Sequence, residues 1–325
     1  MNNGAPWHRR LAGSGAAVAV LLYFLMFAVY AVRAPTALTL FGLTNLLNDT
    51  SVLAIAAAGL TLVVLAGELD LSGIGVIAIA NVLVATISGD SAIGALGSLA
   101  AVLAIGLGVG LLNGWLVAVL GLQSLAATIG TMIACEGVAL LILEAPGGQV
   151  ADAIAYGLTG DVFAVLPTAF VVLAALVALW LLLTRSRLGI ALYAVGADEA
   201  AALLSGLNVR RTKLAAFVLA GLCYGLAGFM LSAQTGTGDP RVSDSFLLFM
   251  YAAVAIGGTS LMGGSGGVIG SIFGAGILTV MQKMLFALGV ATFYTNILNG
   301  VVMLIAILIG ALSAMLSRAG RREMA

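Results

Sequence analysis

The sequence predicts an all-α polytopic membrane protein with about ten transmembrane helices and both termini cytoplasmic. Three observations lead there. Hydrophobic residues make up 62% of the chain and charged residues 8%, against roughly 25% charged in a soluble domain. The apolar residues come in long runs with only five prolines, which favours helices over a β-barrel, since a spanning segment in lipid must satisfy its own backbone. The basic residues fall mainly at three places, separated by even numbers of apolar runs, as the positive-inside rule requires of cytoplasmic segments.

The spans follow in order. The first covers roughly 14–34 behind His8, Arg9 and Arg10. It is longer than a signal-peptide core and lacks a convincing cleavage site, so it reads as retained. The second runs 43–66, the short third 73–88, and the fourth 92–112. Asn113-Gly114 is read as a break, with 113–122 left unassigned. The fifth covers 123–144, a polar loop 145–161, the sixth 162–184. After a polar stretch come the seventh at 213–234, the eighth at 246–262, the Gly-rich turn 263–267, the ninth at 268–287 and the tenth at 292–313. The whole chain, 1–325, reads as one transmembrane domain. Glycine, 43 of 325 residues, suits close helix packing in lipid. Gly-Val-Ile opens both the third span (75–77) and the ninth (267–269), a weak internal echo.

With ten spans, the cytoplasm receives Arg9, Arg10, Arg185, Arg187, Arg210, Arg211, Lys213, Arg318, Arg321 and Arg322. Arg33, Arg241 and Lys283 are the exceptions. The longest interval that does not read as membrane is 185–213, basic at both ends. Within it Gly196 precedes Asp198 and Glu199, acids suited to a helix N-terminus. Ala200, Leu203, Leu204 and Leu207 then share a face, and Gly206 and Asn208 read as stops. An amphipathic helix over 196–208 is therefore expected, and it suggests docking to another protein.

Acids at membrane depth are costly and tend to be partnered. Glu68 and Asp70, in AGELDLSGIG, read either as a gate near a path or as a solvated turn capped by Asp70 and Ser72. Glu136, inside the fifth span, either lines a path or bonds a neighbouring helix; Thr128, Thr131 and Glu136 do not form one stripe. Asn45, Asn48 and Asp49 make a polar patch at the outer end of span two, or simply a wet helix end. Asn48, Asp70, Asn81, Glu136 and Thr259 are the candidates for a translocation path. Net charge is zero, which argues against nucleic acid. The single His8 leaves no histidine chemistry, and the two cysteines, Cys135 and Cys223, read as packing residues. The turn 257–267 lacks the Gly-Lys-Ser/Thr ending of a phosphate loop. No catalytic, metal or cofactor site is therefore expected in this chain.

Four segments carry a resemblance: GELDLS (67–72), LNGWLVAVLGLQSLAATIGTM (112–132), LYAVGADEAAALLSGLNVRRTKL (192–214) and AVAIGGTSLMGGSGGVIGSIFGA (253–275). In these the chain resembles the permease subunits of bacterial binding-protein-dependent ABC importers of the ribose and monosaccharide type. Two departures stand out: Glu68, where that family carries an apolar residue, and Glu136. The resemblance implies a multi-pass inner-membrane protein that acts as a pair with a second copy or a paralogue. It also implies a periplasmic substrate-binding protein and separate ATP-binding cassette subunits, which alone use ATP. It makes 196–208 the coupling helix, with Gly196, Asp198, Glu199, Leu203, Leu204 and Gly206 as coupling residues. The expected activity is import of a monosaccharide or neutral polyol. The alternative, an ion-coupled secondary transporter, would need Asp70 or Glu136 as its coupling site.

Overall fold

A computed structural model describes residues 15–289, except 90, 163, 164 and 243, together with 297, 300 and 301. The helices are α1 Gly15–Arg33, α2 Leu40–Leu65, α3 Gly73–Ile87, α4 Ala92–Ala118 and α5 Ser124–Ile142. They continue with α6 Asp152–Thr159, α7 Thr168–Thr184, α8 Arg187–Ala197, α9 Glu199–Leu204, α10 Val209–Thr235, α11 Asp244–Ile256 and α12 Val268–Ala287. A 3-10 turn, Pro35–Leu38, joins α1 to α2, and a two-stranded hairpin, β1 Asp161–Val162 with antiparallel β2 Leu166–Pro167, precedes α7. Among the described residues, six helices are long and apolar enough to cross a membrane; the bent pair α7–α8 makes a seventh, and α3 and α11 are shorter apolar helices. Most of the expected tenth span, 292–313, lies outside the described residues.

α2 is the central helix. Its most apolar window is 89% buried, because α10, α12, α11 and α7 all pack on it. The sequence permits this through small residues: Ala54, Ala56, Ala57 and Ala58 are essentially inaccessible, and Gly59 sits against Ala220 and Tyr224 of α10. The longest seam, α4 against α10, is built from two Gly-x-x-x-Gly pairs, Gly106/Gly110 and Gly221/Gly225. A Cβ on Gly106 would lie 2.1 Å from the Gly221 carbonyl oxygen, and one on Gly225 would lie 2.5 Å from that of Val102. Lipid offers no hydrophobic drive for helices to associate, so the seam depends on this backbone approach.

Several boundaries correct the sequence reading. Asn113-Gly114 does not break α4. The Asn113 side chain is spent on Ser72, just before α3, and on Thr131 of α5, and Gly114 lies against Leu214 of α10, so the pair serves packing instead of a turn. The loop 145–161 contains α6, and 162–167 belongs to the hairpin, so α7 starts only at Thr168. The amphipathic helix expected over 196–208 is three pieces. Gly196 and Ala197 end α8, Asp198 caps the six-residue α9 by accepting from Ala201 N–H (3.0 Å), and Gly206 (φ +81°) leads away. Asn208 is not a stop but the N-cap of α10, accepting from Arg211 N–H (3.0 Å). Gly257 and Gly258 (φ +79°) end α11 earlier than expected. α8 turns away from α7 by 77°, which carries α8 across one end of the bundle.

The seam yields a matched pair of substitutions. Gly106→Ala is expected to lower the folding stability in detergent by about 1–3 kcal/mol through overpacking. Gly108→Ala, where an added Cβ meets nothing within 4 Å, is expected to leave stability unchanged or raise it by up to ~1 kcal/mol. Thermal unfolding of the two purified variants checks this.

Candidate coupling junction

The linker 66–72 between α2 and α3 is where three parts of the chain meet. Gly67 takes φ +83°, and the next residues have no ladder of their own. Their N–H groups go instead to hydroxyls on other helices: Leu69 to Ser124 Oγ, Asp70 to Tyr251 Oη and Leu71 to Thr128 Oγ1, each at 3.2 Å. Ser124 and Thr128 come from α5 and Tyr251 from α11, which returns its own proton to the Asp70 carbonyl (3.2 Å). A buried N–H left unpaired costs about 1–3 kcal/mol, so the three hydroxyls hold the linker in place.

Asp70 is 1% exposed. Its Oδ1 accepts from Ser72 N–H (2.9 Å) and Ser72 Oγ (2.6 Å). Ser72 Oγ in turn accepts from Asn113 Nδ2 (2.8 Å), and Asn113 Oδ1 accepts from Thr131 Oγ1 (2.8 Å). Burial pushes the Asp70 carboxyl above the ordinary carboxylate range, and the two bonds from Ser72 pull it back. The polar stripe of α5 is therefore Ser124, Thr128 and Thr131, at i, i+4 and i+7, all buried. Glu136 is half-buried beside that stripe.

The second part is the end of α8. A Cβ on Gly196 would lie 1.9 Å from the Leu65 carbonyl oxygen and 2.7 Å from Gly264 N. The third part is the turn 257–267. Gly264 N–H donates to Leu65 O (3.2 Å), and Gly263, at φ +90°, sits over Gly67 and Gly196. Tyr193 of α8 donates to Gly266 O (2.7 Å). Thr259 holds the turn closed, its Oγ1 accepting from Gly267 N–H (3.0 Å). Backbone thus touches backbone across three segments far apart in sequence.

Charge adds to this contact. Lys213 Nζ lies 2.7 Å from Glu68 Oε1 and 2.7 Å from Glu199 Oε2. Beside these groups runs a groove of about 1010 Å³ between the 117–124 segment and 203–210. Leu203, which lines it, is 64% exposed, and the neighbouring Leu204 is 90% exposed.

The structure therefore brings Gly196, Glu199, Asp70 and Thr259 to one end of the bundle, with Asp198, Leu203, Leu204 and Gly206 on its surface. Asn48 and Asn81 sit at the other end, both joined to α10. The Asn48 side chain donates to Thr159 O (2.8 Å), and the Asn48 backbone carbonyl accepts from Gln234 Nε2. Asn81 donates to Ser232 Oγ (2.9 Å) and accepts from Asp239 N–H (2.6 Å), tying down the loop that follows α10. Asp49 pairs with Lys283 at 2.5 Å, which gives a partner to one of the three basic residues outside the topology pattern. Sequence reasoning did not find Asn113, Tyr251 or the role of Lys213. An Asn-Gly pair and a lysine in a basic cluster both have commoner local meanings, and their partners are distant in sequence.

A family model described as "Branched-chain amino acid transport system / permease component" matches residues 42–307. This chain belongs to that permease family. It is a transport component and not an enzyme, and a multi-pass protein of the inner membrane. It is 34% identical over 298 residues to the ribose import permease protein RbsC of Escherichia coli strain K12, covering 90% of this chain and 92% of that one. It is 33% identical to the Bacillus subtilis RbsC, covering 88% and 89%. To the L-arabinose ABC transporter permease protein AraH of Azospirillum brasilense it is 32% identical, covering 89% and 85%. No solved structure matches the chain.

Asn113→Leu removes the bridge between Ser72 and Thr131. It is expected to lower stability by about 1–2 kcal/mol, the scale of an interhelical hydrogen bond in lipid, and to loosen the linker. Equilibrium unfolding in bicelles and protease sensitivity of 66–72 check both effects.

Proposed function

We propose that this chain is the membrane-spanning subunit of an ATP-driven importer that carries a monosaccharide or related neutral polyol inward by alternating access. Sugar-named relatives align over about nine-tenths of the chain, and a xylose transport permease of E. coli aligns at 28% identity. On this reading ten spans place both termini, the junction and the groove in the cytoplasm. Two permease copies, or this chain and a paralogue, enclose the path. A periplasmic binding protein delivers substrate to the outer face, and two ATP-binding cassette subunits dock at 196–208. ATP belongs to those subunits; this chain binds no cofactor.

The observation that carries the mechanism is the contact of Gly196 with Leu65, Gly67 and Gly264. Leu203 and Leu204 offer a partner an apolar foothold on α9. A push there reaches the end of α8, and Gly196 leaves no slack between α8 and the two linkers. The linkers are the hinges of the α2–α3 and α11–α12 pairs, so tilting α8 re-tilts both pairs. Asp70 and Glu136 then serve the path as fixed polar groups. A neutral polyhydroxylated solute needs no counter-charge, which suits a chain in which only 8% of residues are charged.

The ion-coupled alternative asks for a carboxylate free to exchange its cargo ion; of its two candidates, Asp70 is already engaged with Ser72, which leaves Glu136 to be decided by transport. Vesicles containing this chain, its ATPase subunits and its binding protein test the choice. Uptake of labelled D-ribose, L-arabinose, D-xylose and L-leucine is measured with and without ATP. One of the sugars is expected to enter only with ATP, and to fall to background with a hydrolysis-deficient ATPase. Uptake driven by an ion gradient without the ATPase would contradict the importer, and uptake of leucine alone would contradict the sugar assignment.

A further inference from the structure

We infer that Lys213 is a positioning residue for coupling: held between Glu199 of α9 and Glu68 of the 66–72 linker, it carries displacement of the docking segment to the path-side linker. The inference rests on the importer reading and deepens it, because it names a charged connection in addition to the backbone contact at Gly196.

The geometry is specific. Lys213 lies in the second turn of α10, and its ammonium reaches two carboxylates from two other segments at 2.7 Å each. The Lys213 and Glu68 side chains are only 12% and 15% exposed, whereas Glu199 is 58% exposed. The Glu199–Lys213 contact is thus the outward-facing half and the Lys213–Glu68 contact the screened half. A single exposed ion pair contributes little. Here one lysine separates two carboxylates, and its contact with Glu68 is poorly hydrated, where charge interactions weaken less with solvent than at a surface. Removing the ammonium leaves the carboxylates facing each other, so the three segments favour one arrangement with Lys213 and resist it without.

Both ends of the connection are anchored. Glu199 is the first residue of α9, directly after the Asp198 cap, so it moves with the segment bearing Leu203 and Leu204. Glu68 is two residues before Asp70, in the stretch whose next three N–H groups are held by Ser124, Tyr251 and Thr128. Glu68, Lys213 and Glu199 also line the groove beside α9. A docked partner that shifts α9 therefore pulls on Glu68 through one ammonium, and Glu68 pulls on the α2–α3 hinge.

The test compares Lys213→Met, Lys213→Arg and Glu68→Gln in the complete importer in vesicles. Two quantities are read: binding of the ATPase subunits, and sugar moved per ATP hydrolysed, using whichever of D-ribose, L-arabinose and D-xylose the unmodified importer carries best. Lys213→Met and Glu68→Gln are expected to bind the ATPase within about twofold of the unmodified chain, yet move about tenfold less sugar per ATP, within the usual range of inter-site coupling. Lys213→Arg is expected to restore most of the ratio. If Lys213→Met does not assemble, Glu68→Gln alone decides. An unchanged ratio in Glu68→Gln overturns the inference while leaving the importer intact. Loss of ATPase binding in Glu68→Gln overturns it too, because the residue would then serve docking. An unmodified chain that binds no ATPase overturns the importer reading itself, and the inference with it.

Discussion

Close approach of backbone to backbone is the constraint on which this structure depends. Within lipid, helices gain nothing by hiding apolar surface from one another, so they associate where glycine and alanine let main chains meet. The α4–α10 seam uses Gly106, Gly110, Gly221 and Gly225 in this way, and the buried α2 uses its alanine run. The same device recurs where it has mechanical meaning. At Gly196 there is no room for a methyl group between α8 and Leu65. A contact without side chains cannot be absorbed by rotamer changes, so motion on one side must appear on the other.

Polar groups take the second role. Each linker leaves N–H groups that helices cannot satisfy internally. Hydroxyls supply the need: Ser124, Thr128 and Tyr251 for 66–72, and Thr259 for the Gly-rich turn. The junction is therefore rigid in backbone and cross-linked by directional bonds, yet held by few large side chains. Such an assembly suits a part that must shift as a unit between two arrangements instead of deforming gradually. The importer proposed above, with two permease halves driven by one external engine, requires that behaviour.

Much of this was legible in the sequence, and what was not has physical reasons. Hydropathy located α1 to α5, α7 and α10 to α12, and the ninth span was placed at its observed ends. Charge and spacing singled out 196–208, although the helix there is broken by the extended Asp198 (φ −162°) into the end of α8 and the short α9. Asp70 and Glu68 stood out as acids at depth. Asn113 was misread because an Asn-Gly pair ordinarily marks a turn, and only the positions of Ser72 and Thr131 explain a continuous helix. The stripe on α5 is hard to read in the sequence because Glu136, the conspicuous acid of that helix, lies beside it and not on it. Lys213 counted as a topology signal, since its pairing with Glu68 joins residues 145 positions apart.

The central claim is that the docking segment and the 66–72 linker move together, and hydrogen exchange measures this most directly. In the assembled importer, amide exchange over 67–72 is followed with the ATPase subunits empty and then ATP-bound. Exchange at Leu69, Asp70 and Leu71 is predicted to change when ATP closes the subunits docked on 196–208. Protection of 196–208 by the ATPase, with 67–72 unaltered between the empty and ATP-bound states, would contradict the account.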